Sequence, residues 1–186
     1  MKKLIFRRKQ IIEPIPSRVI LSYTESQLAY DSLIEEDASV ELVKGLDFDM
    51  SQFSKTENTI LVIDDQMSDV IQNEKVQKLV IRGCHHDSVS LIILTQNLYP
   101  QGKFARDIRL NSHYIVIMKS PTFASQVTFL GRQLFPSTPT YLPDAYKKAT
   151  ESPYSYLFLN LHPLCDDRLR VSQGILGEQK YIFIPK

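Results

Sequence analysis

Four short apolar runs, rich in isoleucine, valine and leucine, most constrain how this chain can fold. Each run is six to eight residues long, and none alternates strictly between apolar and polar residues. Strands that are buried on both faces have this composition. The segments between the runs are long enough for crossover connections, so the sequence predicts a mostly parallel α/β sheet. The runs are RVILSY at 18–23, NTILVIDD at 58–65, SLIILTQN at 90–97 and HYIVIMKS at 113–120.

Helices and further strands are predicted around these runs. The basic start of the chain, MKKLIFRRKQII, is typical of a short amphipathic helix. Pro14 and Pro16 end it, because proline lacks a backbone donor and disfavours helix in the residue before it. The other predicted elements are helices at 24–36, 124–135 and 143–150, and closing strands at 155–161 and 180–186 that form a strand-rich tail on the same sheet.

The bulk composition limits the classes of protein that this chain can belong to. Its 186 residues, 43% of them hydrophobic, suit one globular domain over residues 1–186. A net charge of +1 gives no global electrostatic reason to expect nucleic acid. With only two cysteines, Cys84 and Cys165, a disulfide framework is not indicated. No apolar run approaches the roughly 20 residues of a membrane span, and the basic start is a poor signal peptide. We therefore expect an intracellular protein that is neither secreted nor membrane-bound.

Polar residues follow three of the predicted strands at the point where each strand ends. The second run ends in Asp64 and Asp65, the third in Thr-Gln-Asn at 95–97, and the fourth in Lys-Ser at 119–120. In open parallel sheets, ligands bind outside the carboxyl ends of the strands. The sequence therefore predicts a ligand site at this edge of the sheet.

An apolar strand that ends in two acidic residues is the pattern of a Walker B element. One carboxylate of such a pair helps to hold Mg²⁺, usually through water, because Mg²⁺ keeps much of its hydration shell. The next carboxylate can orient or deprotonate an attacking water, and Gln96 or Asn97 can position that water against a γ-phosphate. The acidic pair alone fits a helix cap or a solvated loop equally well. The row of polar strand ends favours a nucleotide site.

Three segments together resemble the genome-packaging ATPases of polinton-like elements, adintoviruses and related large DNA viruses. These segments are TILVIDDQMSD, the block from GCHHD to IMKSP at 83–121, and GRQLFP with DAYKKAT and PYSYLFLNL. The family belongs to the FtsK/HerA group of P-loop ATPases, and the resemblance covers nearly the whole chain, from about Pro14 to the C-terminus. It implies a ring-forming motor that uses ATP to drive double-stranded DNA into a capsid.

The resemblance also implies roles for particular residues. Asp64 resembles the Mg²⁺-associated Walker B acid, Asp65 the catalytic carboxylate, and Gln96 the polar sensor residue. Arg106 and Arg109 lie where an arginine could reach the nucleotide of a neighbouring subunit, and Arg106 is the candidate. The implied cofactors are ATP and Mg²⁺. The implied partners are double-stranded DNA, capsid and portal proteins and further copies of the chain in a ring, in the host nucleus or cytoplasm or with the virion.

The sequence lacks the loop with which such ATPases grip phosphate. A P-loop needs G-x-x-x-x-G-K-[ST], because only glycine lets successive backbone N–H groups wrap the phosphates. Of the six glycines only Gly102 precedes a lysine, and Phe104 stands where serine or threonine is required. The resembled family places the P-loop before a helix, a proline turn and a strand, which residues 1–23 match. We therefore expect the chain to begin just after the P-loop, without the first strand of the sheet.

Without that first strand, we expect the sheet of the 186-residue chain to be incomplete. In the resembled family it lies between the strands that match 90–97 and 113–120. Its absence leaves two unpaired apolar edges, which carry unsatisfied backbone groups and favour aggregation. We expect the 186-residue chain alone to be poorly soluble and not to hydrolyse ATP.

A second departure from the family follows the fourth predicted strand. The family usually has Lys-Asn-Pro-Arg-Asp there, whereas this chain has KSPTF, with Thr122 and Phe123 in place of the charged pair. Two interpretations stay open. The chain is a partial or inactive copy of a packaging motor, or it is a non-catalytic domesticated remnant that acts as a binding or structural protein.

Two other kinds of site fit parts of the sequence less well. Cys84, His85 and His86, with His162 and Cys165, suggest zinc ligands, but their spacing matches no common zinc motif.

A phospho-acceptor receiver domain would also gather paired aspartates, a threonine and a lysine at strand ends. Asp64, Asp65, Thr95 and Lys119 fit that pattern superficially. Only one predicted strand separates the aspartates from the lysine strand, and it ends without an acid, so this class is disfavoured.

Overall fold

The computed structural model describes residues 1–49, 52–53, 56–83, 88–176 and 179–185. The chain divides into two compact units, Met1–Asn111 and Ser112–Lys186. The expectation of a single domain over residues 1–186 stays a prediction.

The first unit is built on a parallel sheet of four strands in the order β2-β1-β3-β4. Residue pairing along the sheet sets Tyr23, Asp64 and Leu94 side by side at the carboxyl ends of three neighbouring strands. The predicted parallel α/β sheet is confirmed for this unit, and three of the predicted runs are its strands. The strands are β1 Arg18–Tyr23, β2 Val40–Lys44, β3 Thr59–Asp64 and β4 Val89–Leu94.

Strand β2 is absent from the sequence prediction. It lies at an edge of the sheet, and its sequence VELVK mixes charged and apolar residues instead of forming an apolar run. Glu41 on this strand pairs with Arg18 of β1 at 2.7 Å. Edge strands tolerate such charged residues because one edge remains open to water. The hydrophobic pattern therefore could not identify this strand.

Helices cover both faces of the parallel sheet. Apolar residues of α1 and α2 pack with Val19, Leu21, Ile60 and Val62 on one face. Residues of α3, α4 and α5 pack with Ile20, Leu61 and Ile63 on the other. Burial on both faces explains why β3 is apolar from Ile60 to Ile63. The helices are α1 Lys2–Ile11, α2 Leu28–Glu36, α3 Met67–Val70, α4 Glu74–Lys78, which continues as a π-helical turn Leu79–Gly83, and α5 Ala105–Leu110.

A buried ion pair fixes the end of α1 to the connection between α2 and β2. Arg8 is buried, donates to the carbonyl oxygens of Ile5 and Pro16, and pairs with the Asp37 carboxylate. Its other terminal nitrogen donates to Ser39 Oγ at 2.7 Å. The hydrogen bond from Arg8 is the main reason why the pKa of Asp37 is lowered to about 2. Satisfying every polar group in this way makes a buried arginine tolerable.

The second unit contains an antiparallel sheet in the order β5-β6-β7-β8. Its strands are β5 Tyr114–Met118, β6 Tyr156–Asn160, β7 Val171–Gln173 and β8 Tyr181–Ile182. Its helices are α6 Ala124–Leu134 and α7 Tyr141–Ala149, and short 3-10 turns occur at Pro121–Phe123 and Asp167–Leu169.

This sheet corrects one expectation. The apolar runs predict that β5 belongs to the parallel sheet and that the closing strands lie on that same sheet. In the described residues β5 pairs antiparallel with β6 instead, and the closing strands extend this second sheet. The apolar run of β5 was identified correctly, but such a run does not specify its hydrogen-bonding partner. Among the described residues, no helix is both long and apolar enough to cross a membrane.

Candidate functional site

The candidate site of the first unit begins where β3 ends. Asp64 is the last residue of that strand, and Asp65 follows in the left-handed region with φ 53°. Aspartate tolerates this conformation better than most residues, because its short side chain can bond locally. A left-handed residue directly after a buried strand turns the chain sharply, and such strain occurs often at functional sites.

The two carboxylates have different partners. Tyr30, on α2, donates its hydroxyl hydrogen to Asp64 Oδ2 at 2.9 Å. Gln96, two residues beyond β4, donates from Nε2 to Asp65 Oδ1 at 3.2 Å. The acidic end of β3 and a polar residue after β4 therefore lie within hydrogen-bond distance at one edge of the sheet. The catalytic roles of Asp65 and Gln96 stay predictions.

Tyr30 is a member of the site that the sequence analysis did not identify. Its side chain is only 1% exposed, and its ring packs against that of Tyr23 with centroids 5.4 Å apart. Burial raises the pKa of Tyr30 to about 12, and the hydrogen bond to Asp64 adds to the effect. The hydroxyl is therefore protonated at neutral pH and remains a donor. The sequence signal for the site was the set of polar residues at strand ends. Tyr30 lies in the first turn of helix α2, so that signal could not connect it with Asp64.

An open cleft of about 360 Å³ lies beside Asp65. Thr95 and Asn97 lie in one wall of the cleft. The Thr95 hydroxyl donates to the Asn97 carbonyl oxygen and accepts from the Asn97 N–H. A cleft of this size is within the range of small-molecule sites. Its lining residues are Asp65, Met67, Ser68, Ile71, Thr95, Gln96, Asn97, Pro100 and Gln101.

Gln66 organises the turn after the two aspartates, and the sequence analysis did not identify it either. It is buried, and its Nε2 donates to Ser22 Oγ at 2.7 Å. The Ser22 hydroxyl in turn donates to the Gly45 carbonyl oxygen at 2.7 Å. This chain of bonds connects the carboxyl ends of β3, β1 and β2. The side chains of Gln66 and Ser22 are buried and hydrogen-bonded, and they therefore stabilise the turn that carries Asp65.

The structure separates the two candidate arginines. Arg109 lies with its guanidinium 4.8 Å from the centre of the Tyr99 ring, a cation–π contact within the chain. Burial raises the pKa of Tyr99, and Arg109 opposes that rise. Arg106, on the same helix, is exposed, and its side chain bonds to no described residue. Its role towards a neighbouring subunit stays a prediction.

The one glycine that precedes a lysine has a packing role. A Cβ at Gly102 would lie 2.5 Å from Ile71 Cδ1, so a larger residue there would displace the side chain below it. Phe104 donates its backbone N–H to the Ile71 carbonyl oxygen at 2.9 Å. Gly102 serves close packing here, which agrees with the absence of a P-loop from the sequence.

The predicted polar residues after β5 belong to the second unit. Lys119 donates to the Glu151 carbonyl oxygen at 2.9 Å. The Ser120 N–H donates to the Tyr146 hydroxyl, and the hydroxyls of Ser120 and Thr122 are 2.8 Å apart. The KSPTF segment thus bonds within its own unit.

The suggested zinc ligands do not assemble in the part of the chain that the structure describes. Cys84, His85 and His86 lie outside the described residues. His162 Nδ1 accepts the Leu164 N–H at 3.2 Å, and Cys165 is a free thiol. The described ranges contain no group of three or more histidine, cysteine, aspartate or glutamate side chains that could hold a metal ion.

The donor atoms at the end of β3 fit Mg²⁺. Asp64 and Asp65 each use one carboxylate oxygen in the hydrogen bonds above and have a second that accepts from no described residue. Mg²⁺ in nucleotide sites takes one or two carboxylates and completes its shell with waters and substrate phosphates. Asp65 lines the cleft and Asp64 directly precedes it, so the end of β3 supplies the one or two carboxylates of that pattern.

The amino group of Met1, at the start of α1, interacts electrostatically with Asp64. Burial lowers the pKa of the Met1 amino group, and the charge of Asp64 opposes that lowering, so the two groups are close enough to interact. The first N–H groups of a helix carry positive partial charge and favour anions nearby.

In comparisons with known proteins, no family model, no curated protein and no solved structure matches this chain. The fold and the geometry of the first unit define an α/β protein with a four-stranded parallel sheet, crossover helices and a polar cleft at the carboxyl ends of its strands. The family that the motifs resemble stays a prediction.

Proposed function

We propose that this chain is the motor part of an ATP-driven protein that packages double-stranded DNA into a viral capsid, and that these 186 residues are a partial copy without ATPase activity. The observation that carries the proposal is the Asp65–Gln96 hydrogen bond of 3.2 Å at the ends of neighbouring parallel strands. Asp64 directly precedes this pair and lies near the start of α1. This is the arrangement that the resembled family implies.

In a protein that also contains the phosphate loop, each of these residues would have a part in the proposed hydrolysis. Bound Mg²⁺ would neutralise charge on the phosphates, and Asp64 would hold it together with water. Asp65 accepts the proton of the attacking water, and Gln96 fixes the orientation of the Asp65 carboxylate. Arg106 reaches from one subunit to the phosphates of its neighbour, where a positive charge stabilises the charge that develops in the transition state.

The phosphate-binding loop is the part of the proposed active site that this sequence lacks. None of the described residues forms a glycine-rich loop of the P-loop kind, and Gly102 packs against Ile71. The start of α1 beside Asp64 is the place that such a loop would occupy in the resembled family. A chain without this loop cannot hold the γ-phosphate against Asp65, so we expect no turnover from the 186 residues alone.

The test has a genetic and an enzymatic part. The transcript upstream of the Met1 codon is read first, and any in-frame extension is expressed and assayed for ATP hydrolysis with and without double-stranded DNA. We expect the extension to encode a strand and G-x-x-x-x-G-K-[ST], and the longer protein to hydrolyse ATP. Asp65→Asn should then lower kcat by at least about 100-fold, because it removes the proton acceptor.

Other results would change the conclusion. Turnover by the 186-residue chain alone would contradict the proposal. A stop codon directly upstream would favour the second candidate, a non-catalytic remnant with a binding or structural role. The KSPTF segment favours that candidate, because Thr122 and Phe123 stand where the family has a charged pair, and the Thr122 hydroxyl bonds to that of Ser120.

A further inference from the structure

One buried hydroxyl points at the proposed metal ligand. Tyr30 reaches from the first turn of α2 to the end of β3, and its only described acceptor is Asp64 Oδ2 at 2.9 Å. The ring is 1% exposed and packs in the core with Leu33 and Val62. A phenylalanine would pack equally well in this core. The hydroxyl therefore contributes something other than apolar contact.

The hydrogen bond restrains the Asp64 carboxylate. A carboxylate at the end of a strand can otherwise rotate about two side-chain bonds, and only some of its orientations suit a given ligand. Tyr30 is held by its packing, so its bond fixes one oxygen of Asp64 and leaves Oδ1 without a partner among the described residues. A ligand oxygen held in place beforehand loses less entropy when a metal binds.

We infer that Tyr30 is a positioning residue for the metal-binding carboxylate of this site: its buried hydroxyl orients Asp64 for a divalent cation such as Mg²⁺. The inference rests on the proposed function, because it takes Asp64 as the metal ligand. Tyr30 does not touch the metal or the substrate. It acts through Asp64, as hydrogen-bond donors behind metal ligands do in other sites.

Manganese binding tests this role without any need for ATP hydrolysis. Mn²⁺ prefers oxygen ligands as Mg²⁺ does and broadens NMR signals near its site. The Kd for Mn²⁺ is measured by water-proton relaxation for the unaltered chain, Tyr30→Phe, Tyr23→Phe and Asp64→Asn. Each is made as the same C-terminal fusion to a soluble carrier, which leaves Met1 and the start of α1 unchanged.

Tyr23→Phe is the matched control. Its ring lies 5.4 Å from that of Tyr30 in the same cluster, and its hydroxyl bonds to no described residue. Both variants remove one oxygen from neighbouring tyrosines, but only Tyr30→Phe removes the bond to Asp64. We expect Tyr30→Phe to weaken Mn²⁺ binding about tenfold, Tyr23→Phe to leave it unchanged and Asp64→Asn to abolish it. A Tyr30 with a merely structural role would change the melting temperature but not the Kd of the folded protein.

The outcomes separate the two proposals. If Asp64→Asn abolishes binding and Tyr30→Phe binds Mn²⁺ as tightly as Tyr23→Phe does, the positioning role of Tyr30 is wrong and the proposed metal site stands. If the unaltered chain and Asp64→Asn bind Mn²⁺ equally, Asp64 is not a metal ligand, and both proposals are overturned.

Discussion

Strands β3 and β5 have nearly the same composition but lie in different surroundings. In β3 the first five residues, from Thr59 to Ile63, are buried. In β5 the residues alternate, and Tyr114, Val116 and Met118 are between 45% and 56% exposed. Helices cover both faces of the parallel sheet around β3, whereas one face of β5 is open. Two strands of similar sequence thus have different structural roles, because burial depends on what packs against each face.

The largest expected difference between these strands is in packing energy. Leu61 is fully buried, so Leu61→Ala should lower the free energy of unfolding by about 3 kcal/mol through lost contacts and a cavity. Val116 is 45% exposed, and Val116→Ala should cost less than about 1 kcal/mol. Urea unfolding followed by far-UV circular dichroism measures both. Equal losses would mean that the face of β5 is covered in solution.

A second comparison between the units concerns one aspartate in each of them, Asp37 and Asp166. The pKa of Asp37 and that of Asp166 are both lowered to about 2, each mainly by a hydrogen bond from an arginine. Asp37 pairs with the buried Arg8 and its side chain is 17% exposed, whereas that of Asp166 is 42% exposed and pairs with the exposed Arg168. Water screens the second pair but hardly the first.

We therefore expect Asp37→Asn to destabilise the first unit by about 2 kcal/mol at neutral pH, and Asp166→Asn to have no measurable effect. Because the pKa of Asp37 is lowered on folding, its stabilisation is complete above the ordinary value of 3.8 and is lost as the pH falls towards 2. Unfolding measured between pH 2 and pH 6 checks the sign. If the difference in free energy of unfolding between Asp37→Asn and the unaltered protein is the same at pH 2 and pH 6, the ion pair does not cause that difference.

The smallest expected effects concern two left-handed residues of the first unit. Asp65 has φ 53° and Gly45 has φ 74°, and a Cβ at Gly45 would meet no atom within 4 Å. Gly45→Ala should cost about 1 kcal/mol from backbone strain alone. Asp65→Gly should raise stability by up to about 1 kcal/mol while it removes the carboxylate from the cleft. Thermal unfolding measures both signs, and a loss of stability in Asp65→Gly would show that the Gln96 bond outweighs the strain.

The edges of the sheets bear on the expected poor solubility of the chain. Strands β4 and β5 each pair with only one neighbour among the described residues. Unpaired apolar edges are templates for association with other chains. Poor solubility stays a prediction, and the edges are its physical reason.

Most of the first sheet could be predicted from its apolar runs, and the acidic strand end could be predicted from the two aspartates that follow such a run. β1 matches its predicted range, Arg18–Tyr23, because two-sided burial demands an uninterrupted apolar run. The charged edge strand β2 and the three-residue β7 could not be found this way, since neither is an apolar run. The polar residues after β3 and β4 were expected to meet, and Asp65 does contact Gln96.

The sequence by itself determined the elements that depend on local composition: the apolar strands, most of the helices and the absence of a glycine-rich phosphate loop from these 186 residues. Only the tertiary structure decided the pairing of β5 with β6 and the partners of the two aspartates. The reason is physical. Composition sets which residues avoid water, whereas strand partners and contacts such as Tyr30 with Asp64 depend on how segments far apart in the chain pack together.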